Sequence, residues 1–441
     1  MPDNRPANPE GLGARQAALD VLRDILVHKK MLDVALDSST KLNQLPTRDR
    51  AFARMLITTI LRHKGQLDAV IEQVQSKKGE RPSPETLVII LYIGIAQIIF
   101  MDVADHAAVD ISVRLAESEG LIRQKGFVNA VLRRITREGK SWVEAQDPIT
   151  LNIPGWLWQA WVKDYGEREA RDIALASLTE APLDITLKNS KETALWLGAL
   201  ESSCLPSGSL RRTSGGSITD LPGYREGAWW VQDASSALPV KLLGDIAGLH
   251  VIDLCAAPGG KTLQLASAGA QVTALDVSTS RMKKLMHNLE RMKLTDHVHT
   301  VIADALSWQP KTQADVVLLD APCTATGTLR RHPDLLLFKT EKDLLQLSQL
   351  QGDLLDNAAP MVKPGGILVY CTCSLQRREG EDQITSFLTR HPDFIKVTPD
   401  ISRIGHMETV LTDAHDIRVK PYHLATLGGM DGFFISLLKR S

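Results

Sequence analysis

The chain has 441 residues, 44% apolar and 23% charged, a globular balance that excludes global disorder, a collagen-like repeat and a disulfide miniprotein. Lys and Arg number 51 against 52 Asp and Glu; the net charge of -1 excludes a protein that coats nucleic acid by bulk charge, though not one with a local basic groove. The five cysteines, Cys204, Cys255, Cys323, Cys371 and Cys373, fit a reducing cytosol. From Met1 to Arg15 the chain is polar and Pro-rich, without the apolar core of a signal peptide, and the most apolar stretch, Thr86 to Phe100, is too short to span a bilayer. A cytoplasmic protein with no membrane partner is expected, and length suggests about three domains.

Positive charge gathers at the front, where residues 1–140 carry 21 basic and 17 acidic side chains. Apolar positions recur at helical spacing in Ala17–Val27, Ala51–Leu61, Gln66–Val74, Pro84–Phe100, Ala107–Ala116 and Gly126–Ile135, which predicts an all-helical domain over 1–140. Thr47 and the charged turn after it suit a helix start. The last helix is expected to finish with Arg133, Arg134, Arg137 and Lys140. That cluster is either a solvated helix end whose cations face the negative dipole terminus or a phosphate-binding patch.

Residues 141–235 read as a small α/β linking module. Trp156, Trp158 and Trp161, near helical spacing, are expected in a core rather than as a stacking platform for RNA. Leu183–Leu187 alternates like a strand, Glu192–Leu200 reads as a helix, and the Ser- and Gly-rich Ser207–Ser217 as a loop.

From residue 236 to 441 strands and helices alternate. Strands are expected at His250–Leu254, Val272–Leu275, Val298–Ile302, Val316–Leu319 and Ile367–Tyr370, with helices near Lys261–Ala268, Ser280–Met292 and Asp343–Ala359. This repeated βα pattern predicts a doubly wound parallel sheet.

Chemistry-bearing residues cluster at the strand ends. Asp253 to Thr262 (DLCAAPGGKT) joins a strand to a helix with small residues that let a ligand approach the backbone. It has Cys255 where a Walker loop needs Gly, and it is not G-x-G-x-x-G, so phosphate binding is disfavoured. Asp276, 23 residues after Asp253 and at the next strand end, can accept both ribose hydroxyls of a nucleoside, and Asp304, after the third strand, can face an adenine amine. Singly each is a plain strand-end turn residue; together they favour S-adenosylmethionine over NAD. Leu319-Asp320-Ala321-Pro322-Cys323 follows the fourth strand, and Tyr370-Cys371-Thr372-Cys373-Ser374 the fifth. If those strands are neighbours, Cys323 and Cys373 face one cleft. A metal pair at Cys371 and Cys373 lacks further ligands, and a buried apolar role for each cysteine is the plainer alternative.

These motifs resemble the ribosomal RNA cytosine-5 methyltransferases of the Fmu/Sun type, the small-subunit methyltransferase B subfamily. The resemblance is carried by Gln232 to Ser236, Asp253 to Thr262, Asp276 to Ser278 with Arg281, Asp320 to Cys323, Gly327 to Asp334, Thr372 to Ser374 and Asp431 to Phe434. Gly126 to Arg134 resembles the NusB-like helical domain of that subfamily. The chain departs from the pattern at Thr324-Ala325, where Ser-Gly or Ser-Ala is usual, at Leu335 to Phe338 after His-Pro-Asp, and at Cys371, where Ala is frequent. The first two departures are expected to bear on fit around the target base.

The resemblance implies methyl transfer to cytosine carbon 5, with Cys373 as nucleophile, Cys323 assisting product release and Asp320 at cytosine N3. Lys261 either lowers a thiol pKa or orients Asp320. Cofactor contacts are expected from Cys255, Ala256, Ala257, Pro258, Gly259, Gly260, Lys261, Asp276, Arg281, Asp304 and Asp320, and RNA contacts from Arg133, Arg134, Arg137, Lys140, Arg330, Arg331 and His332. The implied partner is 16S ribosomal RNA before or during subunit assembly, met by a monomer without a metal. The alternatives are the same chemistry on tRNA, or a non-catalytic RNA-binding assembly factor.

Overall fold

The computed structural model describes residues 11–75, 82–214 and 216–441. Most of the polar stretch before Arg15, and Gly215 of Ser207–Ser217, lie outside the described residues. Packing divides the chain into two compact units, residues up to 155 with 331–338, and residues 156–330 with 339–441. This division differs from the one drawn at 140 and 235. Residues 141–155 pack with the helical unit, and the middle segment shares a unit with the strands that follow it.

The first unit is helical. Helices Leu12–Leu26, Thr47–Arg62, Lys64–Val74, Glu85–Ile99, Asp105–Ser118 and Lys125–Glu144 stand where helical spacing places them. Glu85–Ile99 is the core helix, because every residue from Leu87 to Ile98 is buried. Close packing around it needs Gly94, where a Cβ would lie 2.6 Å from the Leu132 side chain. Buried Gln97 is satisfied, with Oε1 accepting from Arg15 Nε at 2.9 Å and Nη2 at 2.6 Å, and Nε2 donating to the Ile93 carbonyl at 2.8 Å. The last helix runs to Glu144, so Arg133 to Lys140 lie inside it and not at its end. The dipole-end reading of those cations therefore fails. Residues 331–338 belong to this unit: Leu335 and Leu336 are buried, and Asp334 Oδ2 accepts at 2.9 Å from the amide of Leu32, which opens helix Leu32–Ser38. A first-turn amide has no partner within its own helix, and Asp334 supplies one.

The second unit holds two sheets. The smaller contains β1 (Leu183–Leu187), β2 (Ser203–Cys204), β3 (Leu210–Arg212) and β4 (Trp229–Val231), all antiparallel, in the order β2-β3-β1-β4. The stretch expected as a loop thus contains a strand. Its Ser and Gly content reads as a loop, yet Arg211 and Arg212 within it are buried, and the Arg211 fork grips Asp184 with Nε–Oδ1 and Nη2–Oδ2 both at 2.7 Å.

The larger sheet contains β5 (His250–Leu254), β6 (Gln271–Asp276), β7 (Val298–Ile302), β8 (Ala314–Asp320), β9 (Val362–Thr372), β10 (Phe394–Lys396), β11 (Ile417–Val419) and β12 (Phe433–Arg440). Its order is β10-β12-β9-β8-β5-β6-β7, with β11 on β12. The five strands read from the sequence pair in parallel, and the last three are antiparallel. Alternate side chains feed two apolar layers: Val251, Val316, Leu318 and Val369 enter one, and Ile252, Val317, Leu319 and Leu368 the other. The order reverses beside β5, and there the carboxyl ends of parallel strands open a crevice. Among the described residues no helix is long and apolar enough to cross a membrane.

Asp184 and Arg211 are 0% and 1% exposed at their side chains, so removing the cation strands a buried carboxylate. Arg211→Met is expected to cost about 3–5 kcal/mol. Urea denaturation followed by tryptophan fluorescence measures it, and an unshifted midpoint contradicts the assignment.

Candidate active site

The crevice is built from the ends of five strands. After β5 the chain turns through Cys255 at φ 60° and Gly259 at φ 110° into helix Gly260–Ser267. Asp276, at the end of β6 and 2% exposed, holds this turn: Oδ2 accepts from Ala257 N at 3.1 Å, while Oδ1 accepts from Ser278 N at 2.9 Å. Arg281 stands 3.7 Å from Asp276 Oδ2 and donates to the Ala257 carbonyl. Asp304, two residues beyond β7, is exposed, and its Oδ1 accepts from Leu306 N at 3.0 Å. Sequence reading missed the apolar side chains between these carboxylates. Val277, Ile302 and Leu306 are 68%, 53% and 40% exposed, and the β6–β7 register sets Asp276 opposite Ile302. Open apolar side chains flanked by carboxylates suit a purine nucleoside, and their signal was a large apolar residue within two positions of Asp276 and Asp304.

On the other side of β5, strands β8 and β9 run parallel with Asp320 opposite Cys371. Both chains continue past the sheet edge and bring the sulfurs of Cys323 and Cys373 to 3.4 Å. The contact with Cys373, then burial, holds the Cys323 thiol well above the usual range. Cys371 points into the apolar layer, 0% exposed, with its sulfur 3.6 Å from Asp320 Oδ1. Burial first, and Asp320 next, push its thiol well up. Burial first, then Asp320, Asp276 and Asp253, push Cys255 up to about 12. Cys371 and Cys255 are therefore poorly placed to ionise.

Lys261 is buried, and its Nζ donates to Asp320 Oδ2 at 2.7 Å. Burial, the largest single effect, disfavours the ammonium, but Asp320, Cys371 and Asp253 together outweigh it and its pKa is raised overall. Of its two expected roles, orienting Asp320 is the one with a contact. Thr324 is 0% exposed and faces inward, its Oγ1 3.2 Å from Ser374 Oγ, and Leu335 and Leu336 are buried in the helical unit. Of these two departures, Thr324, Leu335 and Leu336 are packed inward, while Ala325 and Phe338 are half-buried and Leu337 is exposed.

The expected RNA contacts divide. Arg330 is 2% exposed and donates from Nη2 to the carbonyls of Glu180 at 3.1 Å and Gly428 at 2.5 Å, so it braces loops and does not face phosphate. Arg331 and His332 are half-buried in the helical unit, His332 Nδ1 lying 3.8 Å from Asp33. Arg134 is engaged by Glu138 at 3.2 Å and lies over the Trp142 ring at 5.2 Å. Arg133, Arg137 and Lys140 are exposed at helical spacing on one face. Among the described residues no His, Cys, Asp and Glu group could hold a metal.

Asp253 is fully buried at the end of β5, its Oδ2 accepting from Thr262 Oγ1 at 2.6 Å. Burial raises its pKa from 3.8 to about 7. A carboxyl raised on folding stabilises the protein fully below its unfolded pKa, and that stability is lost as pH rises through the folded value. Asp253→Asn cannot ionise, so its stability relative to wild type is expected to improve between about pH 4 and about pH 7. Denaturation across that range checks this, and a constant difference contradicts it.

Known proteins resemble this chain along nearly its whole length. Residues 242–439 match the family described as 16S rRNA methyltransferase RsmB/F, and residues 12–137 match the NusB family. A Synechocystis protein described as a probable ribosomal RNA small subunit methyltransferase B is 34% identical, over 98% of this chain and 100% of its own. The Vibrio cholerae ribosomal RNA small subunit methyltransferase B is 31% identical, over 97% and 98%. The crystal structure titled PH0851 superposes with a TM-score of 0.76 at 25% identity, covering 99% of this chain and 100% of that one. By sequence over nearly its whole length, the chain belongs to the ribosomal RNA small subunit methyltransferase B family.

Proposed function

We propose that the chain methylates carbon 5 of a cytosine in small-subunit ribosomal RNA through a covalent adduct on Cys373. The observation that carries this reading is the 3.4 Å approach of Cys323 and Cys373 beside Asp320 at two adjacent strand ends. Family membership supports methyl transfer to ribosomal RNA. S-adenosylmethionine, when bound, supplies the methyl group as an electrophile. Asp276 and Asp304 would hold its ribose and adenine, the Cys255 to Gly260 turn would lie against it, and Arg281 would brace that turn.

Cytosine carbon 5 is a poor nucleophile. Addition of the Cys373 thiolate to carbon 6 forms an S–C bond and makes carbon 5 enamine-like, able to take a methyl group. Asp320, oriented by Lys261, faces N3 and stabilises the charge that develops on the ring. With Cys323 assisting, the carbon-5 proton then passes to solvent water. Its bonding pair reforms the ring double bond and expels the Cys373 thiolate, which frees the methylated RNA. A stacked base hides carbon 6, so the target is flipped or single-stranded.

The two cysteines fail differently on this account. Without Cys373 no adduct forms; without Cys323 the adduct forms but cannot resolve. Cys323→Ala is expected to give a denaturant-resistant protein–RNA band, Cys373→Ala no band and no methylation, and Cys371→Ala to stay active. A band from Cys373→Ala, or loss of activity in Cys371→Ala alone, reassigns the nucleophile.

Arg133, Arg137 and Lys140 are the proposed phosphate contacts. Each one lost is expected to flatten the log–log salt dependence of RNA binding by roughly 0.7–0.9. Filter binding of the triple Gln variant measures this, and an unchanged slope makes the cluster an ordinary solvated face.

A further inference from the structure

Glu379 takes no part in the chemistry described above. It is 0% exposed, in the turn Arg377–Glu379 just beyond the Thr372 to Ser374 motif. Its Oε1 accepts from the backbone amide of Thr324 at 2.9 Å and from Gln351 Nε2 at 2.9 Å; its Oε2 accepts from Thr324 Oγ1. Gln351 Nε2 also donates to the Pro322 carbonyl at 2.8 Å. The backbone carbonyl of Glu379 accepts from Thr372 Oγ1 at 3.4 Å, and Thr324 Oγ1 lies 3.2 Å from Ser374 Oγ. Both neighbours of Cys323, and both neighbours of Cys373, are therefore bonded to Glu379 or to a group it holds.

The bonds are not symmetric. The Cys373 side has an anchor outside the Cys323 loop: the Ser374 carbonyl accepts from Arg418 Nη1 at 2.6 Å. On the Cys323 side, the backbone amide and hydroxyl of Thr324 both go to the Glu379 carboxylate. Loss of that carboxylate thus leaves the Thr324 amide without its partner and loosens the Cys323 side, which keeps the Ala321 amide on the Cys371 carbonyl at 2.9 Å and the Pro322 carbonyl on Gln351, while Ser374 stays on Arg418. The geometry points to Glu379 as a positioning residue that holds Cys323 against Cys373 for release of the methylated base. This rests on the covalent reading proposed above.

The test is multiple-turnover methylation of ribosomal RNA together with the fraction of enzyme held covalently on RNA at steady state. In Glu379→Ala, turnover is expected to fall at least about tenfold while the covalent fraction rises, with S-adenosylmethionine affinity by calorimetry unchanged. Glu379→Gln is expected to recover most of both, because its amide can accept from Thr324 N and donate to Thr324 Oγ1. A merely structural role lowers turnover and covalent fraction together; that result, or no change in either, overturns the inference. If Glu379→Ala does not fold, Gln351→Ala decides by the same two readouts, and unchanged values there overturn it. Wild-type protein that makes no 5-methylcytosine, or Cys323→Ala without an adduct, fails the covalent reading itself, independently of Glu379.

Discussion

Parallel pairing of β8 with β9 is the constraint on which the rest of the site depends. Parallel neighbours point their carboxyl ends to the same sheet edge, so two segments far apart in the chain leave the sheet side by side. The register sets Asp320 against Cys371, and three residues past Asp320 and two past Cys371 the chain carries Cys323 and Cys373. A shift by one residue would turn every alternate side chain to the opposite face and separate this group. The register is held from both faces, by Val316, Leu318 and Val369 in one apolar layer and Val317, Leu319 and Leu368 in the other.

Burial then sorts groups that look alike in the sequence. Cys371 and Cys373 are two residues apart, but the first lies within the strand and the second beyond its end. Only the strand residue is wholly enclosed, against Asp320, and both effects oppose its thiolate. Strand-end carboxylates diverge in the same way. Asp253 sits inside the sheet and its ionisation is suppressed, Asp276 is closed in by two backbone amides, and Asp304 stays open to solvent. Asp320 keeps a third of its side chain exposed beside Lys261, which combines a fixed orientation with access.

Much of this was legible in the sequence, for identifiable reasons. β5 and β7 fall on the residues expected, because short apolar runs closed by Gly or Asp leave little choice of boundary. β9 begins earlier than expected, since Pro364, Gly365 and Gly366 look like a turn and the sheet admits them with a register shift beside Ala314. β3 was hidden because its buried arginine is neutralised by Asp184, 27 residues upstream, and no local periodicity reports such a partner. The helix to Glu144 was cut short because its basic run imitates a helix end. Arg330 was misplaced for the same reason: a charge in a turn reads as exposed unless its carbonyl partners, 150 and 98 residues away, are known. Glu379 escaped notice because its role lies in tertiary hydrogen bonds to Thr324 and Gln351.

The central claim is that the Cys373 sulfur bonds to the target base while Cys323 serves release. RNA made with 5-fluorocytidine tests it on the wild-type protein, since fluorine at carbon 5 cannot leave as a proton does and the adduct persists. Tandem mass spectrometry of the digested complex then locates the nucleotide on the chain. A fluorinated, methylated nucleotide is expected on the peptide containing Cys373, at that residue. The same mass on Cys323 or Cys371, or no covalent complex at all, would contradict it.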